Sequence, residues 1–116
     1  MVPSDPGASD GPLYHYCIIR ADLPRGVQIA QTIHAAGESC SAGNLPDSTT
    51  HAVALETPDE ATLLDLEARL VQAGITHVAI REPDAPWNNQ LMAIGIPPQV
   101  RSKTLRKHLS RYALVR

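Results

Sequence analysis

The chain contains no phenylalanine, and its aromatic residues are Tyr14, Tyr16, Trp87 and Tyr112 alone. A core without Phe has to be aliphatic, and Leu, Ile, Val and Ala dominate a sequence that is 43% hydrophobic. No apolar run approaches the ~20 residues a membrane-spanning helix requires, so no such span and no membrane partner are expected. Residues 1–11 are rich in Pro, Gly, Ser and Asp and have neither the basic start nor the apolar centre of a signal peptide. Cysteine is limited to Cys17 and Cys40, too few for a disulfide framework. Cys17 lies in an apolar run and reads as a buried free thiol, which points to a reducing compartment, most simply the cytoplasm.

Acidic residues are absent from Arg101 onward, and that absence divides the charge. Arg101, Lys103, Arg106, Lys107, Arg111 and Arg116 give the last segment +6, whereas residues 1–100 hold four basic residues against twelve acidic ones, or −8. An acidic body with a basic end suits a protein that meets a polyanion at one place; a solvated amphipathic helix is the plainer explanation.

At 116 residues the chain is one domain's worth. Residues 1–12 read as a disordered lead-in and residues 13–116 as the domain. Leu13–Arg20 is β-rich and ends in a Pro/Gly turn, where Asp22 is placed to cap a helix. From Gly26 to about Ser39 the period is helical, with Ile29, Ile33 and Ala36 on an apolar face and Gln31, His34 and Glu38 on a polar stripe. Ser41 to Thr49 reads as a loop and His51–Glu56 as a second strand. Thr57-Pro-Asp-Glu60 starts a helix, with Thr57 as cap, and the helix stops at Gly74. Thr76–Glu82 and Gln90–Ile96 read as third and fourth strands, the latter ended by Pro97-Pro98. Ser102 caps a short helix, and Tyr112–Val115 is available as an edge strand. The order β-α-β-α-β-β-α predicts an α/β fold: one mixed sheet of four strands, or five, sandwiched by helices.

The stretch Arg20-Ala-Asp22-Leu23-Pro-Arg-Gly26 followed by Ala30-Gln31-Thr-Ile-His34-Ala35 is similar to the opening signature of the type 2 peptidyl-tRNA hydrolases. In that family a strand ending in Arg-x-Asp-Leu passes a glycine turn into a helix reading Ala-Ala-Gln-x-x-His-Ala. Pro58-Asp-Glu60 resembles the family's second helix start, and Ala93-Ile94-Gly95 before two prolines resembles its last strand. The sequence departs from the family in two places. The helix-1 lysine is replaced by Val27, and the loop between the third and fourth strands offers Glu82 near the family's aspartate and Gln90 where a threonine stands.

The resemblance implies metal-free and cofactor-free hydrolysis of the ester joining a peptide to tRNA, during translation. Such chemistry needs a positioned water, a proton acceptor and donors for the oxyanion. His34, Gln31, Asp22, Glu82 and Gln90 are the expected catalytic set, with Arg25 standing in for the lost lysine. Asp84, Asn88 and Asn89 are expected to position substrate. Arg20, Lys103, Arg106, Lys107 and Arg111 are expected to meet the RNA phosphates. Each has a plainer reading: Asp22 as a cap, His34 as a helix-boundary histidine, Asn88 and Asn89 as turn residues. His15, His51 and His77 lack metal-ligand spacing, so zinc is not expected. The expected partner is tRNA, with a homodimer left open. Two alternatives stand beside the hydrolase: a non-catalytic tRNA- or protein-binding module, and a hydrolase or acyl-transfer enzyme for another substrate.

Overall fold

A computed structural model describes residues 11–42 and 50–116. The lead-in over residues 1–10 and the loop over 43–49 lie outside the described residues. The elements are β1 (Leu13–Arg20), α1 (Arg25–Ala42), β2 (Thr50–Thr57), α2 (Glu60–Ala73), β3 (Val78–Glu82), β4 (Gln90–Val100), α3 (Lys103–Leu109) and β5 (Ala113–Leu114). They form one five-stranded mixed sheet in the order β3-β4-β1-β2-β5. β1 and β2 run parallel in register from Leu13↔Thr50 to Arg20↔Thr57. The other pairings, β1–β4, β3–β4 and β2–β5, are antiparallel. The α/β sandwich expected from the sequence is present, and the optional edge strand exists.

Alternation along the strands supplies each face with its own core. Ile18, Ile94 and Ile96 meet Leu63, Leu66 and Leu70 of α2 and Leu105 and Leu109 of α3 on one face. Cys17, Ile19, Met92 and Ala93 meet Ala35 of α1 on the other. Between Ile80↔Ala93 and Arg81↔Leu91 the β3–β4 register shifts, leaving Met92 as the extra residue and returning Leu91 to the face of Ile94. Burial pushes the Cys17 thiol up to about 11, so it stays protonated and inert.

Helix α1 packs in the opposite sense to its hydrophobic pattern. Ile29 and Ile33, the expected inward residues, are 55% and 67% exposed. The buried stripe is Gln31, Ala35 and Ser39, with Val27 half-buried beside it. The reason is distance. A Cβ added at Gly95 of β4 would lie 2.4 Å from the Ala35 carbonyl oxygen and 2.6 Å from Ser39 Oγ, so only small residues fit between helix and strand. The polar groups buried there are satisfied: Ser39 Oγ–H donates to Ala35 O at 2.5 Å, and His15 Nε2–H donates to Ser39 Oγ at 2.7 Å.

Helix starts also differ in detail from the sequence pattern. The cap of α2 is Asp59, whose Oδ1 accepts from the Thr62 N–H at 2.9 Å, because Pro58 holds the preceding Thr57 in the strand. Its end at Gly74 (φ 68°) is the expected one. Asp22 does not cap α1; both its oxygens are occupied by Arg20. Ser102 does cap α3, accepting from the Leu105 N–H at 3.1 Å. Strand β4 runs through the prolines to Val100, because Pro97 and Pro98 fall in a register shift between Tyr16↔Ile96 and Tyr14↔Gln99, where no ladder donor is required.

Two histidines bind these layers together and titrate. Burial holds His15 below its ordinary 6.5. Burial and then the nearby Arg69 guanidinium do the same for His108, whose Nδ1 accepts from Arg69 Nη1 at 3.2 Å. Both are favoured neutral when folded, so below about pH 6.5 protons go preferentially to the unfolded chain. Stability should therefore fall as pH drops from 7.5 toward 5.5, seen as a falling urea midpoint. An unchanged midpoint in a His15→Asn/His108→Gln double variant over that range would confirm the assignment; an equal fall would refute it.

Candidate functional site

The carboxyl ends of the parallel strands β1 and β2, the end of β3 and the start of β4 all lie at one end of the sheet. Open α/β sheets place ligands in this position. Arg20, the last residue of β1, is 5% exposed and anchors the region. Its Nε–H and Nη2–H donate to Asp22 Oδ1 and Oδ2, both at 2.9 Å, a bidentate pair. Its Nη1 donates to Gln90 Oε1 at 2.9 Å and to Leu91 O at 3.2 Å, and its guanidinium lies 5.8 Å from the Trp87 ring centre. The bonds to Asp22 raise its already high pKa. Beside it, Gln31 Nε2–H donates to Glu82 Oε1 at 3.2 Å, and the Asp84 N–H donates to Glu82 Oε2 at 3.3 Å.

Four of the six expected catalytic residues thus make cross-chain contacts at this end: Asp22 and Gln90 through Arg20, and Gln31 with Glu82 directly. The other two lie elsewhere. His34 is exposed on α1, its Nδ1 3.8 Å from Glu38 Oε2, in a shallow depression with Ala30, Ile33 and Gly37. Arg25 lines a groove with Ile29, Ala54 and Glu56 on the β2 side, and strands β1 and β4 separate that side from β3. No hydrogen bond joins either residue to the Gln31–Glu82 pair.

The loop between β3 and β4 explains Asn88 and Asn89. Both have positive φ, 48° and 70°, and the Gln90 N–H donates to Trp87 O at 3.0 Å, closing a tight turn. Asn tolerates the left-handed region better than other non-glycine residues, so the turn alone accounts for both. Their side chains are exposed at the same end as Glu82. Among the expected RNA contacts, Lys103, Arg106, Lys107 and Arg111 are exposed, whereas Arg20 is turned inward to Asp22 and Gln90.

Sequence reasoning overlooked Glu60, whose Oε2 accepts from the Leu91 N–H at 2.9 Å and ties α2 to the start of β4. The sequence marks Glu60 only as part of a helix start, because its partner Leu91 lies 31 residues away. The Arg20–Asp22 pair was not foreseen either: sequence reasoning assigned Arg20 to RNA and Asp22 to catalysis or a helix cap, whereas the two bind each other. Among the described residues no three His, Cys, Asp or Glu side chains group as metal ligands, and no helix is long and apolar enough to cross a membrane.

The sheet order and its polar end define the class: a mixed α/β sandwich with a candidate site at the strand ends. No protein-family model and no curated protein matches the chain. Among solved structures it is similar to a protein of unknown function from Agrobacterium tumefaciens, with a TM-score of 0.57 over 90% of this chain and 98% of that one. At 18% identity the likeness is one of fold.

Proposed function

We propose that the protein hydrolyses the ester bond of peptidyl-tRNA, releasing peptide and free tRNA, at the polar end of the sheet. The observation that supports this reading is the meeting of Gln31 from α1 with Glu82 from β3, 51 residues apart, in a half-buried position beside the Arg20–Asp22–Gln90 cluster. In this reading Glu82, oriented by Gln31 and the Asp84 N–H, takes a proton from water as the water oxygen adds to the ester carbonyl. The ribose oxygen then leaves as the acyl–oxygen bond breaks and takes up the proton that Glu82 accepted from water. Asn88 and Asn89 supply uncharged donors for the developing oxyanion.

A non-catalytic tRNA-binding module is the second reading, and a specific observation favours it. Val27 replaces the family lysine, and neither Arg25 nor His34 joins the Gln31–Glu82 pair. The assay that separates the two is cleavage of purified peptidyl-tRNA, with aminoacyl-tRNA alongside. Turnover by the wild type and a loss of about 10²-fold or more in Glu82→Gln, with tRNA affinity unchanged, would support the hydrolase. Absence of turnover with intact tRNA binding would transfer the assignment to the module.

A further inference from the structure

A second pocket, of about 210 Å³, opens between α3 and the sheet. Arg101, Arg106, Ser110, Tyr16 and Tyr112 line it, and no acidic side chain does. Neither arginine takes part in an ion pair among the described residues, in contrast to Arg20, Arg69 and Arg81, which all do. Two unpaired guanidiniums and a hydroxyl around a small concavity have the composition of a phosphate seat. Arg101 also lies 4.6 Å from the Tyr14 ring centre, and Tyr14 stacks with His51 at 5.2 Å. Aromatic rings beside arginines are the platform on which unpaired bases stack.

The position of the pocket gives it a direction. Tyr112 lines both this pocket and a neighbouring one of about 560 Å³ at the sheet end, where Asp22, Thr57, Thr62 and Arg111 stand. The first is cationic and fits a phosphodiester; in the second Asp22 is held by Arg20 and the Thr57 and Thr62 hydroxyls donate to Asp59, which leaves Glu56 as the acceptor for a ribose hydroxyl. We propose that the Arg101–Arg106 pocket seats a backbone phosphate of single-stranded RNA, with a base against the Tyr14–His51 stack and the strand continuing over Tyr112 to the sheet end. This deepens the peptidyl-tRNA reading and rests on it for the choice of RNA as ligand.

The test uses a fluorescein-labelled ten-nucleotide uridine RNA, which has no ester to cleave, and reads anisotropy with the full chain between 50 and 200 mM salt. Arg101→Glu/Arg106→Glu should weaken binding at least tenfold at the low salt. It should also lower the log–log salt slope by about 1.4, two contacts at ~0.7 each. Ile29→Glu/Arg116→Glu adds negative charge in the groove on the opposite face of the sheet and should shift binding less than twofold. Tyr14→Leu should weaken binding without changing the slope. Equal losses in both double variants, no loss in the first, or no binding by the wild type would each overturn the proposal. If RNA binding depends on the pocket but peptidyl-tRNA is not cleaved, the pocket stands and the hydrolase reading fails. If cleavage occurs and the pocket variants bind as the wild type does, the reverse holds.

Discussion

Gly95→Ala should destabilise the protein by about 2–3 kcal/mol, the upper part of the range for overpacking a tight core. The added methyl would lie 2.4 Å from the Ala35 carbonyl oxygen and 2.8 Å from Ser39 Cβ, and the first of these is helix backbone that cannot rotate away. Helix α1 would have to move off β4. That movement would also disturb the bonds from Ser39 to Ala35 and from His15 to Ser39 on the inner face of the helix. For a chain of this size the melting midpoint should fall by roughly 10 °C. Gly26→Ala is the matched control: among the described residues a Cβ there meets nothing within 4 Å, so replacing this glycine of the same helix should be neutral or stabilising by about 0.5–1 kcal/mol. Equal thermal midpoints for Gly95→Ala and the wild type would mean that α1 does not approach the sheet this closely.

The second large effect belongs to Arg20. Arg20→Leu removes the bidentate partner of Asp22 and leaves Gln90 Oε1 and the buried Leu91 carbonyl without the donors they have now. Breaking a buried ion pair on one side costs ~3–5 kcal/mol. Asp22 is 40% exposed and can return to water, so about 3 kcal/mol is the better figure here. Arg20→Lys should recover only part of it, because an ammonium cannot hold both Asp22 oxygens and Gln90 in one plane. Chemical denaturation of the two variants against wild type measures the difference. A cost below about 1 kcal/mol for Arg20→Leu would show that the cluster adds little to stability and is retained for another reason.

Arg20 belongs to the candidate site, which bears on how much of that site was legible. The motif residues Arg20, Asp22 and Gln31 stood out in the sequence, and Glu82 and Gln90 came from the family resemblance in the loop between the third and fourth strands. Their grouping was readable because it follows from strand order: the ends of β1 and β3 and the start of β4 must lie together once β4 pairs with both. The roles were not readable. His34 shares the helical stripe of Gln31 by periodicity, yet it is 64% exposed and paired with Glu38, since a helix flank a few tens of degrees from the contact line already faces solvent. Arg25 sits near Val27 in sequence but points to the β2 side.

The sequence by itself determined the alternation of strands and helices, the aliphatic core, the stop of α2 at Gly74, the cap at Ser102 and the basic surface of α3. These follow from local rules of periodicity, turn chemistry and charge, which need no knowledge of distant partners. Only the tertiary structure decided which face of α1 is inside. Pattern favours Ile29 and Ile33, whereas the close approach at Gly95 admits only Ala35 and Ser39, and bonds to Glu82 and His15 satisfy the polar groups buried with them. The deciding quantity is the space between a helix and a strand separated by some sixty residues of chain. Hydrophobic periodicity carries no information about that distance, so the inward face was set by steric fit and hydrogen bonding rather than by hydrophobicity.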